Sequence, residues 1–215
     1  MHKTALVVGG GVYGATCTRH LLGEGWQCVV IDQDSLCLAA RSVLSGGTDG
    51  KVSFVRGGVA AALDHFTSHV PDYLIPTVPF HLLAALVSRA CGFVPSELGA
   101  SATAAALPPD LILSSSGGTL VLSYNREGSC LPVCPAPSVC PATGEHRTRP
   151  LHTVLRHALP TASVLESVQL APGVGGLRGD DVAAVLTRAR EEENIVVGTA
   201  CRCHGVVTAL TKRGV

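Results

Sequence analysis

The run Gly9-Gly10-Gly11-Val12-Tyr13-Gly14 is a G-x-G-x-x-G string set between an apolar segment, Thr4 to Val8, and a segment of helical character, Tyr13 to Glu24. In that setting each spaced glycine has its own physical task. Gly9 permits a tight turn, Gly11 lets a pyrophosphate approach the backbone, and Gly14 lets the helix pack on the strand. The helix start adds free N–H groups and partial positive charge for phosphates. Asp32 ends a second apolar run, Gln27 to Asp32. A carboxylate there accepts hydrogen bonds from ribose hydroxyls and repels a 2′-phosphate, so the pattern favours NAD over NADP. FAD enzymes open in a similar way, and Gly46-Gly47 would suit a second flavoprotein glycine pair, but 215 residues are few for the extra region such enzymes carry. A turn that only packs a strand on a helix is the alternative reading.

Five of the nine cysteines fall in two tight groups: Cys130, Cys134 and Cys140, then Cys201-Arg202-Cys203-His204. Pro135 and Pro141 follow two of them, and proline stiffens a loop that presents thiolates. Six soft or borderline ligands suit zinc or an iron–sulfur cluster, although the spacing matches neither a zinc ribbon nor a ferredoxin. A redox pair at Cys201 and Cys203, or plain core cysteines, remain open beside the metal. If the strands before the two groups are parallel neighbours, both groups meet at the carboxyl edge of the sheet that carries the glycine turn.

Weaker signals surround these. His81 follows a proline-rich strand end and could act as an acid or base, or simply start a helix; His204 is the other weak catalytic candidate. Arg147 and Arg149 could clamp a carboxylate or phosphate, but a solvated basic loop is the expected state. Gly173-Val174-Gly175-Gly176, between a strand and a helix, could form a second anion nest.

These groups need a scaffold, and the rest of the chain supplies one. Hydrophobic residues make up 47% and aromatics only 4%, so the core must be mostly Ala, Val and Leu. Lys+Arg and Asp+Glu balance at 16 each, which argues against a nucleic-acid partner. No leader pattern is present, and Tyr73 to Val87 is too short and too broken by Pro76, Pro79 and His81 to span a bilayer, so a cytoplasmic address is expected. Strand-like segments at Thr4–Val8, Gln27–Asp32, Val52–Val55 and Tyr73–Val78 alternate with helix-like ones at Val59–His69 and Phe80–Cys91. That alternation predicts an α/β fold, a Rossmann-like doubly wound parallel sheet over residues 1–108. Residues 109–215 form a cysteine-rich α/β region that either continues the sheet or makes a small companion domain. Its strands are expected at Leu111–Leu113, Thr119–Ser123, Ser163–Leu170 and Ile195–Thr199, and its helices at Leu151–Ala158 and Asp180–Arg190.

Over about residues 3–90 the chain resembles NAD(P)- and FAD-binding Rossmann domains, and among them the nucleotide-binding domain of potassium-channel regulators, which shares the strand–GxGxxG–helix–strand–Asp order. It is also similar to the precorrin-2 dehydrogenase type in its GGG turn. The resemblance implies a bound dinucleotide and does not reach the cysteines. The expected function is an NAD(P)-dependent oxidoreductase with a cysteine-ligated metal near the nucleotide crevice. The alternatives are a nucleotide-sensing module without catalysis and a metal-stabilised structural protein. The small-molecule substrate is undetermined, and a homo-oligomer is open.

Overall fold

The computed structural model describes residues 2–42, 50–126, 130–131 and 133–214; Gly46-Gly47 lies outside them. The chain forms two compact units, Met1–Ala90 with Gly176–Ala184, and Cys91–Gly175 with Val185–Val215. The expected division at 108/109 falls inside the second unit. The architecture is α/β with two sheets.

The first unit opens β1 (Thr4–Val8), α1 (Val12–Gly23), β2 (Gln27–Asp32), α2 (Leu38–Ser42), β3 (Val52–Arg56), α3 (Val59–Ser68), β4 (Tyr73–Pro76) and α4 (Leu82–Cys91). β1 pairs in parallel with β2 and β4, and β2 with β3, giving the order β3-β2-β1-β4. Ala5 to Val8 are all buried, as expected of a central parallel strand without an exposed face. Each such Val or Leu contributes about 1.5–3 kcal/mol of burial. Leu21, Ile31, Phe66, Leu74, Leu83 and Leu86 complete this core.

Along the chain follow β5 (Phe93–Pro95), α5 (Glu97–Ala105), β6 (Ile112–Ser116), β7 (Thr119–Ser123), α6 (Leu151–Ala158), β8 (Ser163–Glu166), β9 (Val168–Ala171), β10 (Val174–Arg178), α7 (Gly179–Ala189), β11 (Asn194–Ala200) and β12 (His204–Lys212). The end of β10 and the start of α7, Gly176–Ala184, belong to the first unit, and the others belong to the second unit. Its sheet runs β6-β7-β12-β11-β8, with β5 also on β12. β6 and β7 turn at Gly117-Gly118, both at positive φ, which a tight hairpin requires. Leu151 and Leu155 of α6 pack with Leu120, Leu122, Val164 and Val207 into this unit's core.

The end of β10 joins the first sheet beside β4, while β6, β7, β12, β11 and β8 build a second one. Two expectations change here. Ser163–Leu170 is two strands rather than one. The 173–176 glycines sit in a turn and the strand β10 rather than at a helix start: Gly173 at φ 78° turns the chain from β9 into β10. Within the first unit, Leu177 and Arg178 of β10 pair antiparallel with Leu74 and Tyr73 of β4.

Candidate functional site

The glycine turn takes the shape its spacing predicts. Gly9 has φ 104°, a region that side chains disfavour, and its N–H donates to the Ile31 carbonyl at 2.8 Å. A Cβ on Gly14 would lie 1.8 Å from the Gly9 carbonyl oxygen, so helix and turn touch backbone to backbone. A Cβ on Gly11, in contrast, would meet nothing within 4 Å. Gly11 is the residue before α1, it offers no side-chain cap, and the first turn of α1 has no acidic residue. The open face of the turn therefore presents helix N–H groups that no side chain caps. Val12 and Tyr13 are strongly exposed beside it.

Asp32 reaches this turn directly. Its carboxylate accepts from the Gly10 N–H on one oxygen and from the Asp34 N–H, at 2.8 Å, on the other. Each oxygen keeps a further lone pair, so the group can brace the loop and still accept from a ribose. Two supports were not legible in the sequence. The Thr77 hydroxyl donates within reach of the Val8 and Gly9 carbonyls, at 2.9 and 2.8 Å, tying the end of β4 to the turn. Buried Cys37 packs under Gly10, where a Cβ would come 2.3 Å from its sulfur. A threonine just past a strand and a lone cysteine carry no spacing signal.

His81 sits just before α4, its carbonyl accepting from the Ala85 N–H. Burial drives its imidazole down to about 3, so it is neutral at physiological pH and unsuited to proton transfer there. Cys17 and Cys28 are buried core thiols, and desolvation pushes Cys28 up to about 12.

The second unit contains a cavity of about 480 Å³, and its wall includes Cys130, Cys134, Cys140, Cys201, Cys203 and His204. Topology explains how two groups sixty residues apart arrive together. β7 and β11 both pair antiparallel with β12, so they run in one direction with β12 between them rather than as neighbours. Ser123 at the end of β7 is opposite His204, and Ala200 at the end of β11 is opposite Gly205. The Cys201–Cys203 segment is thus the turn of the β11–β12 hairpin. The N-terminus of α6 docks on it through N–H groups of Leu151 and His152 donating to the Arg202 and Cys201 carbonyls. This edge belongs to the second sheet, not to the sheet of the glycine turn as the sequence led us to expect.

Within the cavity wall, Cys130 Sγ and His204 Nε2 lie 3.1 Å apart, and Cys201 Sγ is 3.9 Å from His204 Nδ1. The Cys203 and His204 N–H groups both donate to Cys201 Sγ at 3.4 Å. Burial raises the Cys201 thiol, but these contacts outweigh it and leave it below the ordinary thiol range. Cys140 is lowered to about 7, first by the Thr143 hydroxyl, with backbone N–H groups and Arg147 assisting. Burial raises Cys203 against the opposing pull of Arg147. Zinc or an iron–sulfur cluster needs a converged ligand set. Among the described residues no three His, Cys, Asp or Glu side chains form one, so the arrangement does not fit the metal centre expected of these six residues.

Arg147 departs furthest from expectation. It is not a solvated loop residue but only 5% exposed, while Arg149 is exposed. The segment before it folds back on itself: Val139 bridges His146, and the Arg147 N–H donates to the Ser138 carbonyl at 2.7 Å. Its guanidinium lies over the Tyr124 ring at 5.6 Å. Its charge is held firmly, because contact with Cys203 and the nearby Cys140 and Glu145 overcome the burial that would lower it.

Sequence comparison supplies the kinship. A model described as "Uncharacterized protein, N-terminal domain" matches residues 4–82, and its companion, "Uncharacterized protein, C-terminal domain", matches residues 83–213. The chain belongs to the AF_1314 family. The two matches together run over residues 4–213. An uncharacterized protein of Archaeoglobus fulgidus is 36% identical over 214 residues, covering 96% of this chain and 99% of that one. Among solved structures, the Bordetella bronchiseptica enzyme WbmG in complex with NAD, and the same enzyme with NAD and UDP, each match with 24% identity and a TM-score of 0.31. Each match covers 42% of this chain and 31% of that one, so the chain spans about a third of the length of these structures. Among the described residues no helix is long and apolar enough to cross a membrane.

Proposed function

We propose that the first unit binds NAD(H) on the glycine turn and that the protein is an oxidoreductase using that cofactor. The observation that carries the reading is the open face at Gly11, set on the uncapped start of α1. Support comes from the order β3-β2-β1-β4, which is that of a doubly wound nucleotide-binding half, and from the turn's place at the carboxyl end of β1. When bound, the cofactor would supply hydride transfer. The chain's own part is to hold the pyrophosphate on the N–H groups of α1 and the ribose on Asp32. The preference for NAD over NADP rests on Asp32 alone, whose charge opposes a 2′-phosphate.

A metal forms no part of this proposal, since the six cavity residues do not converge as ligands. The cavity instead supports thiol chemistry in the second unit, because Cys140 and Cys201 are both poised towards the thiolate. The second reading, nucleotide sensing without turnover, is favoured by the buried, neutral state of His81. Titration of NADH and NADPH against the wild type and Asp32→Ala tests the cofactor assignment. Tighter NADH binding that loses its preference in Asp32→Ala supports it, and tighter NADPH binding to the wild type overturns it. Binding without oxidation of NADH by any disulfide, quinone or carbonyl acceptor offered would favour the sensor.

A further inference from the structure

The wall of the cysteine cavity holds a buried cation. Arg147 touches the Cys203 thiol, and its Nε and Nη2 are buried with no hydrogen-bond partner by distance and angle among the described residues. A buried N–H without an acceptor costs on the order of 1–3 kcal/mol, and more when charged. These two nitrogens form one edge of the guanidinium, the edge that grips a carboxylate with two parallel bonds. The side chain is held in place by Tyr124 on its face and by the fold of residues 138–147, so little rotamer freedom is left to lose on binding. The cavity volume lies in the range of small-molecule sites.

The rest of the wall agrees in charge and polarity. Arg202 lines the same cavity and its Nη1 reaches the Arg147 carbonyl at 3.5 Å. His152 also lines it, with a buried Nδ1 that has no hydrogen-bond partner among the described residues. Glu166 is the acidic member of the wall. Arg147 and Arg202 against one carboxylate leave the cavity suited to an anion.

We propose that this cavity binds a small organic molecule through a carboxylate, with Arg147 Nε and Nη2 as the fork and His152 as a second polar contact. The planar edge of the Arg147 fork matches the planar edge of a carboxylate, and the phosphate arm of the test separates the two anions. The proposal does not depend on nucleotide binding by the first unit. It also places the ligand beside the Cys140 and Cys203 thiols, which flank Arg147 electrostatically.

The test uses the full chain with acetate, succinate and benzoate as probes and inorganic phosphate as the other arm. Nitrogen-15 NMR of the Arg147 Nε signal should show saturable shifts with at least one carboxylate. Arg147→Gln should weaken that binding about 100-fold. Arg147→Lys, which keeps the charge and loses the fork, should weaken it about 10-fold. Arg149→Gln should leave it unchanged. If Arg147→Gln fails to fold, the wild-type Nε shift and the Lys variant decide the matter. Absence of any saturable shift overturns the proposal, as does phosphate binding more tightly than every carboxylate. Equal affinity in a folded Arg147 variant overturns it too.

Discussion

The glycine turn and the cysteine cavity are built from different materials. The turn is made of backbone: a positive φ at Gly9, a contact between Gly14 and the Gly9 carbonyl, and an open face at Gly11. Its neighbours in space are mostly its neighbours in sequence. The cavity is made of side chains brought from the 130–147 loop, the start of α6 and the β11–β12 hairpin, and its centre is a buried cation among thiols. A backbone site fails through steric overlap, whereas a side-chain site fails through loss of charge or hydrogen bonding. Substitutions and pH should therefore act on the two regions in different ways.

The largest effect is expected at Gly14. In Gly14→Ala the new Cβ meets a carbonyl oxygen that cannot move without disrupting β1, so the protein should lose about 3–5 kcal/mol of stability. Urea denaturation measures this. A loss below about 1 kcal/mol would mean that the helix and turn can separate freely, and the backbone description of this region would fail.

Acid should come next. The unfolded-state His81 takes up a proton near its usual 6.5, while the folded-state group resists until about 3. Between those values the unfolded chain binds more protons, so stability falls as pH drops through that window and is fully present above it. His81→Gln should flatten the slope of stability against pH between about 6.5 and 3. An unchanged slope would assign the acid sensitivity to other groups.

The cavity should respond through its thiols. Cys140 is buried, so its ionisation rather than its alkylation is the readout, and the midpoint should lie at about pH 7. Thr143→Val removes the first cause of the Cys140 shift and should move its midpoint upward. The difference in ultraviolet thiolate absorbance between each protein and its Cys140→Ser counterpart across pH reads it. A Cys140 midpoint at or above the ordinary value of 9.0 would remove the electrostatic account of the cavity.

The smallest effect is expected at Asp32. Asp32→Asn keeps the shape but weakens the charge-assisted bonds from Gly10 and Asp34, and should cost about 1–2 kcal/mol. A neutral outcome in urea denaturation would show that the turn holds its form without that brace.

The same contrast explains what the sequence could reveal. Strands β1, β2 and β7, helix α6 and the turn between β1 and α1 follow from local apolar runs and glycine spacing. The short α5, with Ser96 accepting from the Gly99 N–H as its cap, hid in an alanine-rich stretch without a clear period. β12 drew no expectation, since it begins on the last residue of the cysteine–histidine motif, and only its pairing with β7 and β11 makes it a central strand. Both cysteine groups line one cavity, but across β12 in the second sheet rather than through adjacent strands of the first. Burial of Arg147 had no local signal at all: Arg147 and Arg149 look alike in sequence, and only the tertiary fold separates the buried one from the exposed one.

Titration of NADH against the wild type and Gly11→Val tests the central claim most directly. The valine side chain meets no atom of the protein but occupies the space a pyrophosphate would need. NADH should bind the wild type, Gly11→Val should lose about 100-fold or more of that affinity, and the apo melting temperatures should lie within a few degrees of each other. Equal NADH affinity in the two proteins, or no binding of NADH to the wild type, would contradict it.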